Sequence, residues 1–298
     1  MGRMKRKFLL AVDGSNQAFE AVRYAGRLFP PERTEVVLFH VLTPFPESFW
    51  DIEKEPESRY ENDEIRSWEA HQDQKIQMFM EEANRLFLDQ YFPQDAVRIK
   101  IQKRKAGIAR DIVRESLNNY DGVIVGRWGT SMLKDFLWGS VANKLIERLT
   151  HTPVCVVGGT PLIGKILVAI DASKGAKRAV DYVGDITDSS HWEVNLFHVI
   201  RDMDRKKVNQ TEKIMSAVFK AAFDHLERAG FKRDRIHSKI VTRVPSRASA
   251  IVVEALNGEY GTIVVGRRGL SNVEAFDMGR VSNKIIQMAR EMAVWIVT

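Results

Sequence analysis

The segment Lys7–Leu28, KFLLAVDGSNQAFEAVRYAGRL, returns later in the chain as Lys165–Ile186, KILVAIDASKGAKRAVDYVGDI. In both segments an apolar run ends in an acidic turn, at Asp13 and at Asp171, and a stretch with apolar residues at helical spacing follows. A strand that leads through a polar turn into an amphipathic helix is typical of a parallel α/β sheet. The repeated segment therefore predicts two copies of one fold.

The repetition continues through the rest of the chain. The segment LFHV occurs in both halves, 158 residues apart, and VIVGRWG (123–129) returns as IVVGRRG (263–269) at an offset of 140. Self-similarity over this length indicates a tandem duplication. We expect one domain at 1–160 and a second at 161–298.

The change of offset means that the first copy carries 18 extra residues after Val41. They fall within TPFPESFWDIEKEPESRYENDE, residues 43–64, whose prolines and charges are typical of a surface excursion. We expect this excursion beside the ligand mouth of the first copy, where Phe45, Phe49 and Trp50 would shield a base. A plain surface loop or an oligomer contact is the alternative.

Each copy alternates apolar strands with amphipathic helices. In the first copy the strands are expected at FLLAVD, EVVLFHV, VRIKIQK, GVIVG and PVCVVG, with helices near Ser67–Leu88 and Ile108–Leu117 among the connections. Continuous Val/Ile/Leu runs are typical of a parallel sheet covered by helices on both faces. The predicted fold is α/β, with two tandem doubly wound five-stranded parallel-sheet domains of Rossmann-like type. A ligand should lie at the carboxyl edge, where the strand order reverses.

The fifth strands, PVCVVG and AVWIVT, are short and apolar and would each leave a sheet edge exposed. The short connection GTPLIGK lets one chain bring the two edges together. We therefore predict an internal pseudo-dimer in which the fifth strands pair. The sequence does not decide whether such chains assemble further into a homo-oligomer.

Composition narrows the class of protein. With 45 basic and 39 acidic residues, the net charge of +6 favours anionic ligands in general. No aromatic-interleaved basic motif accompanies this charge, so nucleic acid is not an expected partner. The single cysteine, Cys155, can form no internal disulfide and is interpreted as a small buried hydrophobe. Because no apolar run approaches the roughly 20 residues of a membrane span, we expect no membrane partner and a cytoplasmic location.

The glycines of GRWGTSMLKDFLWGS, Gly126–Ser140, form the most informative candidate site. Gly126 and Gly129 follow a strand directly, where absent side chains let backbone N–H groups approach an anion. Gly139 and Ser140 open a helix, whose amino end offers unsatisfied N–H groups, the positive end of the dipole and a hydroxyl donor. The second copy repeats the spacing at Gly266, Gly269 and Gly279. Conserved spacing within the chain favours a phosphate cradle over turns that merely need glycine.

The acidic strand ends have two interpretations. Asp13 and Asp171 could accept a hydrogen bond from a ribose or reach a metal, but their local sequences, DGS and DAS, favour a turn or helix cap. Ser15 and Ser173 are also good caps for the first helix of each copy. Local chemistry alone therefore favours capping.

The basic candidates are weaker. His40 and His198 end the second strands and are interpreted as strand-end residues rather than ligands or bases, because no nucleophile is spaced to match them. Arg127 and Arg267 stand between the glycines and are interpreted as solvated loop charges rather than phosphate contacts. Neither GxGxxG after a first strand nor GxxxxGK[ST] occurs, so dinucleotide and P-loop chemistry lose support.

Together LLAVDGS, LFHV, VIVGRWG and the element G-2x-G-9x-G-[ST] resemble the nucleotide-binding signature of the universal stress protein family. The resemblance occurs once in each half, so that it covers nearly the whole chain, and it implies an adenine nucleotide alpha hydrolase-like fold. In the ATP-binding branch of that family, it implies that Asp13 lies near the adenosine and Val41 near the base. The positions implied to surround the ribose and phosphates are Val125, Gly126, Gly129, Gly139, Ser140 and Val141.

The second copy departs from this signature at one position. The matching residues are Asp171, Val199, Val265, Gly266, Gly269 and Gly279. Arg280, however, stands where Ser140 stands in the first copy, so a long guanidinium replaces a compact hydroxyl. Arg280 would either grip phosphate in its own way or fill the space that phosphate needs. We expect the second effect, and hence tighter binding at the first site.

The resemblance implies a cytoplasmic ATP-binding stress-response protein that acts as a nucleotide-dependent sensor or regulator. Its ligand would be ATP, with or without magnesium, and its protein partner is unidentified. The alternatives are a slow ATPase or nucleotidyl transferase, and an interaction module that binds no nucleotide. Catalysis needs placed groups for metal, water and transition-state charge, and nothing in the sequence positions a water, so we expect at most weak ATPase activity.

Overall fold

The structure is a computed structural model, and it describes residues 5–43, 62–129, 139–201, 204–269 and 278–298. Most of the predicted excursion, including Phe45, Phe49 and Trp50, lies outside these residues, so its place beside the ligand mouth stays a prediction.

The first copy has the predicted alternation of strands and helices. Its strands are β1 (Arg6–Ala11), β2 (Thr34–Leu42), β3 (Val97–Lys103), β4 (Gly122–Gly126) and β5 (Val154–Val157). Its helices are α1 (Asn16–Leu28), α2 (Asn62–Asp89), α3 (Ile108–Ser116) and α4 (Ser140–Arg148). Helix α2 begins five residues before the predicted Ser67 and so takes in the last three residues of the predicted excursion.

The second copy repeats this order. Its strands are β6 (Lys165–Ala169), β7 (Glu193–Ile200), β8 (Ile236–Thr242), β9 (Thr262–Gly266) and β10 (Ala293–Val297). Its helices are α5 (Lys174–Ile186), α6 (Arg205–Arg228), α7 (Arg247–Asn257) and α8 (Arg280–Met288).

The strands form one ten-stranded sheet in the order β3-β2-β1-β4-β5-β10-β9-β6-β7-β8. Pairing within each copy is parallel, as continuous apolar strands such as FLLA require when helices cover both faces. The chain runs outward from β1 through β2 to β3 and then returns to the other side of β1 at β4. The predicted α/β doubly wound fold is confirmed, and its switch point lies between β1 and β4 in one copy and between β6 and β9 in the other.

The two fifth strands pair with each other, as the sequence predicts. Strand β10 runs antiparallel to β5, and Trp295 lies opposite Cys155 in this pair. We call the junction of the two copies at β5 and β10 the seam. Cys155 is fully buried, which confirms its interpretation as a buried hydrophobe, and burial raises the pKa of its thiol. Neither copy therefore exposes its fifth strand as a sheet edge.

Side chains from matched positions cross the seam in both directions. The Tyr24 hydroxyl of α1 lies 3.0 Å from the Thr262 hydroxyl of β9 and accepts the indole N–H of Trp295 at 3.1 Å. Its counterpart Tyr182, on α5, donates to the Asp121 carbonyl at 3.0 Å. The apolar clusters on the two faces of the sheet each contain residues of both copies. The copies thus share one core rather than touching through solvated surfaces.

Candidate functional site

The acidic turn after β1 organises the start of α1. One carboxylate oxygen of Asp13 accepts the backbone N–H of Ser15 at 3.0 Å, and the Ser15 hydroxyl accepts the N–H of Ala18 at 3.1 Å. The second copy repeats both contacts, at 2.9 Å and 3.1 Å, with Asp171 and Ser173. Capping by the serines is therefore confirmed, and these contacts use one oxygen of each carboxylate.

The other carboxylate oxygen of Asp13 faces residues 126–129, which follow β4 and which we call the glycine loop of the first copy; residues 266–269 form the glycine loop of the second. A Cβ placed on Gly129 would lie 2.5 Å from Asp13 Oδ2, closer than real Cβ atoms approach an oxygen. In the second copy the corresponding distance, from Gly269 to Asp171 Oδ2, is 3.0 Å. The carboxylate at the end of the first strand and the glycine loop after the fourth therefore meet, and in the first copy only glycine fits.

The amino end of α4 is held against the same loop. The Gly139 N–H donates to the Arg127 carbonyl at 3.0 Å, and a Cβ on Gly139 would lie 2.8 Å from that oxygen. Gly139 is the N-cap residue and brings no side chain to cap the first turn, so the helix presents its N–H groups beside the loop. The equivalent contact in the second copy joins Gly279 to Arg267 at 2.8 Å.

The predicted site residues of each copy lie at the carboxyl ends of three neighbouring strands or at the start of the last helix. Val41 and Val125 are buried strand-end residues of β2 and β4, whereas Ser140 is exposed at the first position of α4. In the second copy Val199 and Val265 are likewise buried, Val141 is matched by Val281, and Arg280 is exposed at the start of α8. The structure thus brings together, at one edge, residues that lie more than 100 positions apart in the sequence.

The two sites also differ below the surface. In the first copy Gln17 lies against Gly126, and its amide donates to the carbonyls of Val157 and Gly159 at 3.1 and 3.0 Å. In the second copy Gly175 takes the place of Gln17, and a Cβ on Gly266 would lie 2.6 Å from its backbone. Gln17 was not among the residues predicted from the sequence, although its replacement by Gly175 in an otherwise repeated segment was a signal that could have found it.

Both strand-end histidines form a hydrogen bond with a backbone carbonyl of the neighbouring strand end. Nδ1 of His40 lies 2.8 Å from the Val12 carbonyl, and Nδ1 of His198 lies 2.7 Å from the Ile170 carbonyl. A carbonyl only accepts, so Nδ1 carries the proton in each ring. Burial lowers the pKa of both imidazoles, and the hydrogen bond to the carbonyl opposes that effect. These contacts support their interpretation as strand-end residues.

The interpretation of Arg127 and Arg267 as solvated loop charges is wrong. Arg127 is 0% exposed and Arg267 is 5% exposed. The guanidinium of each crosses the seam to backbone carbonyls of the other copy. Burial, reinforced by the nearby charge of Arg290, lowers the pKa of Arg127 to about 10. The recurrence of arginine at the same loop position in both copies marked the position as important, but nothing in the local sequence indicated a buried contact.

Within the ranges that the structure describes, no group of three His, Cys, Asp or Glu side chains is arranged to hold a metal ion. In the same part of the chain, no helix has both the length and the apolar character needed to cross a membrane.

Comparison with known proteins identifies the family. Residues 4–158 and residues 163–297 each match the family model described as the Universal stress protein family. The chain belongs to the universal stress protein family. Its halves are therefore two universal stress protein units in tandem.

Relatives of the same length support this organisation. A universal stress protein of Mycolicibacterium smegmatis is 24% identical over 290 residues, which cover 94% of this chain and 93% of that protein. The crystal structure of a universal stress protein from Archaeoglobus fulgidus superposes with a TM-score of 0.64 at 19% identity and covers 98% of each chain. This likeness shows that the fold of the whole chain also occurs in that protein.

A universal stress protein crystallised in complex with cAMP matches at 24% identity, over 45% of this chain and 96% of its own, with a TM-score of 0.35. That protein binds a nucleotide.

Proposed function

We propose that this universal stress protein is an ATP-binding regulator whose nucleotide state tunes its conformation or its binding to a protein partner. One observation carries the proposal: at the β1/β4 switch point, Asp13, the glycine loop and the amino end of α4 meet. Open α/β sheets bind their ligands at such a switch point, and a helix amino end attracts phosphate. We further propose that the protein is cytoplasmic, that its domains are 1–160 and 161–298, and that they act as a pseudo-dimer.

The residues present fit an adenine nucleotide in three respects. Because Gly129 and Gly139 carry no Cβ, Asp13 and the Arg127 carbonyl pack directly against them, and no side chain at either position would keep a phosphate chain away from the backbone N–H groups. Ser140, exposed at the start of α4, adds a hydroxyl donor to the N–H groups of the first turn. Asp13 presents an oxygen toward the loop, where a ribose hydroxyl could donate to it. Magnesium, where present, would enter with the phosphates, because Mg²⁺ usually keeps waters and binds through one or two carboxylates plus phosphate.

The direct test is mass spectrometry of the small molecules released when the purified protein is denatured. We expect ATP, because a helix amino end whose N-cap residue is glycine offers its first-turn N–H groups to phosphate, and the resemblance to the ATP-binding branch of the family names the nucleotide. Isothermal titration calorimetry of protein freed of ligand then gives the affinity for ATP, with adenosine and inorganic phosphate as separate probes. The proposal fails if no nucleotide is released and ATP produces no heat of binding.

The two sites are expected to bind ATP unequally. Ser140 offers a compact hydroxyl at the first site, whereas Arg280 places a long side chain at the start of α8 in the second. Loss of one neutral hydrogen bond is worth about 0.5–1.5 kcal/mol, or up to roughly tenfold in affinity, and a clash with phosphate would add to it. Calorimetry should give one tight site per chain, and Arg280→Ser should tighten the second.

The matched control for this asymmetry is Ser140→Arg, which should weaken the first site toward the level of the second. Two equal sites in the unmodified protein would contradict the prediction. So would a second site that weakens when Arg280 is replaced, because the guanidinium would then be a phosphate ligand.

A further inference from the structure

The two glycine loops exchange their arginines across the seam. Nη1 of Arg127 donates to the Ile286 carbonyl at 2.9 Å, and Nη2 donates to the Ala289 carbonyl at 2.7 Å. In the opposite direction, Arg267 donates to the Leu149 carbonyl at 3.1 Å and to the Ile146 carbonyl at 2.6 Å. The four carbonyls occupy matched positions of the two copies. The exchange is therefore reciprocal, with each arginine bound to the end of one helix of the other copy.

The helices that receive these guanidinium groups are α4 and α8. Leu149 is the C-cap residue of α4, and Ala289 is the C-cap residue of α8. The last carbonyls of a helix lack partners within the helix and carry its negative dipole end, so a cation is well matched to them. Arg267 thereby satisfies the carboxyl end of α4, the helix whose amino end faces the glycine loop of the first copy.

Each arginine consequently contacts both sites, one through its backbone carbonyl and the other through its side chain. The Arg267 backbone carbonyl accepts the Gly279 N–H and so belongs to the loop of the second copy. Its side chain is bound to the carboxyl end of α4, a helix of only nine residues, so the two ends of that helix lie only about 13 Å apart. A residue of the second copy therefore binds the helix whose amino end is Gly139–Ser140.

The packing around the exchange leaves little freedom. Both guanidinium groups are buried, and a Cβ on Gly158 would lie 2.9 Å from Nε of Arg127 and 1.9 Å from the Arg290 carbonyl. A side chain confined in this way cannot follow a moving helix without moving its own loop. The two loops and the two helices are thus linked in one closed set of contacts.

We propose that Arg267 is a positioning residue for the nucleotide site of the first copy, and that Arg127 is the corresponding residue for the site of the second. Each site is then completed from the opposite copy, and a ligand that moves one glycine loop alters the helix end of the other site. This inference rests on the proposed binding of ATP.

A purely structural role for the arginines makes a different prediction. If Arg267 only clamps the copies together, its loss affects every ligand of the first site equally, because the whole copy loosens. If it positions α4, its loss affects phosphate contacts at the amino end of that helix and spares the contacts to the nucleoside. ATP and adenosine therefore separate the two roles.

The experiment is calorimetric titration of ATP and of adenosine into the full chain and into Arg267→Met, Arg267→Lys and Arg268→Met, with thermal unfolding of each variant. Arg268 is the matched control, because it removes one positive charge from the same loop and its own side chain is exposed. For Arg267→Met we expect ATP binding at the tight site to weaken by about two- to thirtyfold, the range for residues that act through an intermediate element. Adenosine binding should change less than about twofold, and Arg268→Met should behave as the unmodified chain does.

Lysine keeps the positive charge but cannot donate to two carbonyls from a planar pair of nitrogens as arginine does. Arg267→Lys should therefore bind ATP more tightly than Arg267→Met, and the loss of affinity should still be larger for ATP than for adenosine. Arg267→Lys also serves if Arg267→Met does not fold. The proposal is overturned if these variants bind ATP as the unmodified chain does, or if ATP and adenosine weaken equally. Absence of ATP binding by the unmodified chain overturns the proposed function itself, and that result is read before any variant is examined.

Discussion

Gly139→Val is expected to abolish tight ATP binding by this protein. A Cβ at position 139 would lie 2.8 Å from the Arg127 carbonyl, so the amino end of α4 must move away from the loop, and the branched side chain would occupy the space beside the first-turn N–H groups. Loss of two hydrogen bonds to a charged phosphate, at about 1.5–3 kcal/mol each, corresponds to more than roughly a hundredfold in affinity. Calorimetry at saturating ATP measures the effect.

The matched control for Gly139→Val is Gly279→Val in the second copy. There a Cβ would lie 3.4 Å from the Arg267 carbonyl, and the tight site is expected elsewhere, so ATP affinity should change little. Thermal unfolding of both variants separates a lost site from a lost fold. Gly139→Val that binds ATP as tightly as the unmodified chain would place the phosphates away from the start of α4.

Gly158→Ala is expected to destabilise the whole protein strongly. Gly158 follows β5 at the seam, and its N–H donates to the Met292 carbonyl at 3.0 Å. An added Cβ would lie 1.9 Å from the Arg290 backbone carbonyl, so the two backbones must separate and disturb the β5–β10 pairing. We expect a loss of about 3–5 kcal/mol in the free energy of unfolding, in the range of strongly overpacked or broken buried contacts.

The control for Gly158→Ala is Gly26→Ala, inside α1. A Cβ there would make only an ordinary contact, 3.5 Å from Gln90, and alanine is favoured over glycine in a helix by about 1 kcal/mol. Chemical denaturation should therefore show Gly26→Ala to be neutral or stabilising. A Gly158→Ala variant as stable as the unmodified chain would mean that the seam can open by more than an ångström at little cost.

The fold could be predicted from the sequence because its determinants are local and occur twice. Apolar runs such as Phe8–Ala11 define strands by composition, and the repeat of the first segment defines the unit that the rest of each copy follows. The pairing of β5 with β10 was also predictable, since an unpaired apolar edge needs a partner and the connection is short. The start of α2 was placed too late because the polar residues from Asn62 onward suit an exposed helix and a loop equally well.

The contacts made by the side chains of Arg127 and Arg267 could not be predicted from the sequence in the same way. A loop arginine between two glycines has the same local sequence whether its guanidinium meets water, phosphate or a carbonyl. What decides the matter is that Arg127 lies beside the end of α8, a helix that enters the structure about 150 residues later. The contact is to backbone oxygens, which leave no trace in the side-chain pattern. Recurrence of the arginine at both loops indicates that the position matters without indicating why.

The antiparallel pair of β5 and β10 at the middle of the sheet affects how the protein responds to dilution and how its two halves can differ in sequence. Two separate chains joined by such a pair would come apart as their concentration fell, whereas within one chain each half meets the other at an effective concentration of roughly millimolar. In an assembly of identical chains every substitution also appears on both sides of the twofold axis. Covalent linkage removes that constraint, so equivalent positions can carry different residues, as Gln17 and Gly175 do, and as Ser140 and Arg280 do. The halves are thereby free to specialise while keeping a common core.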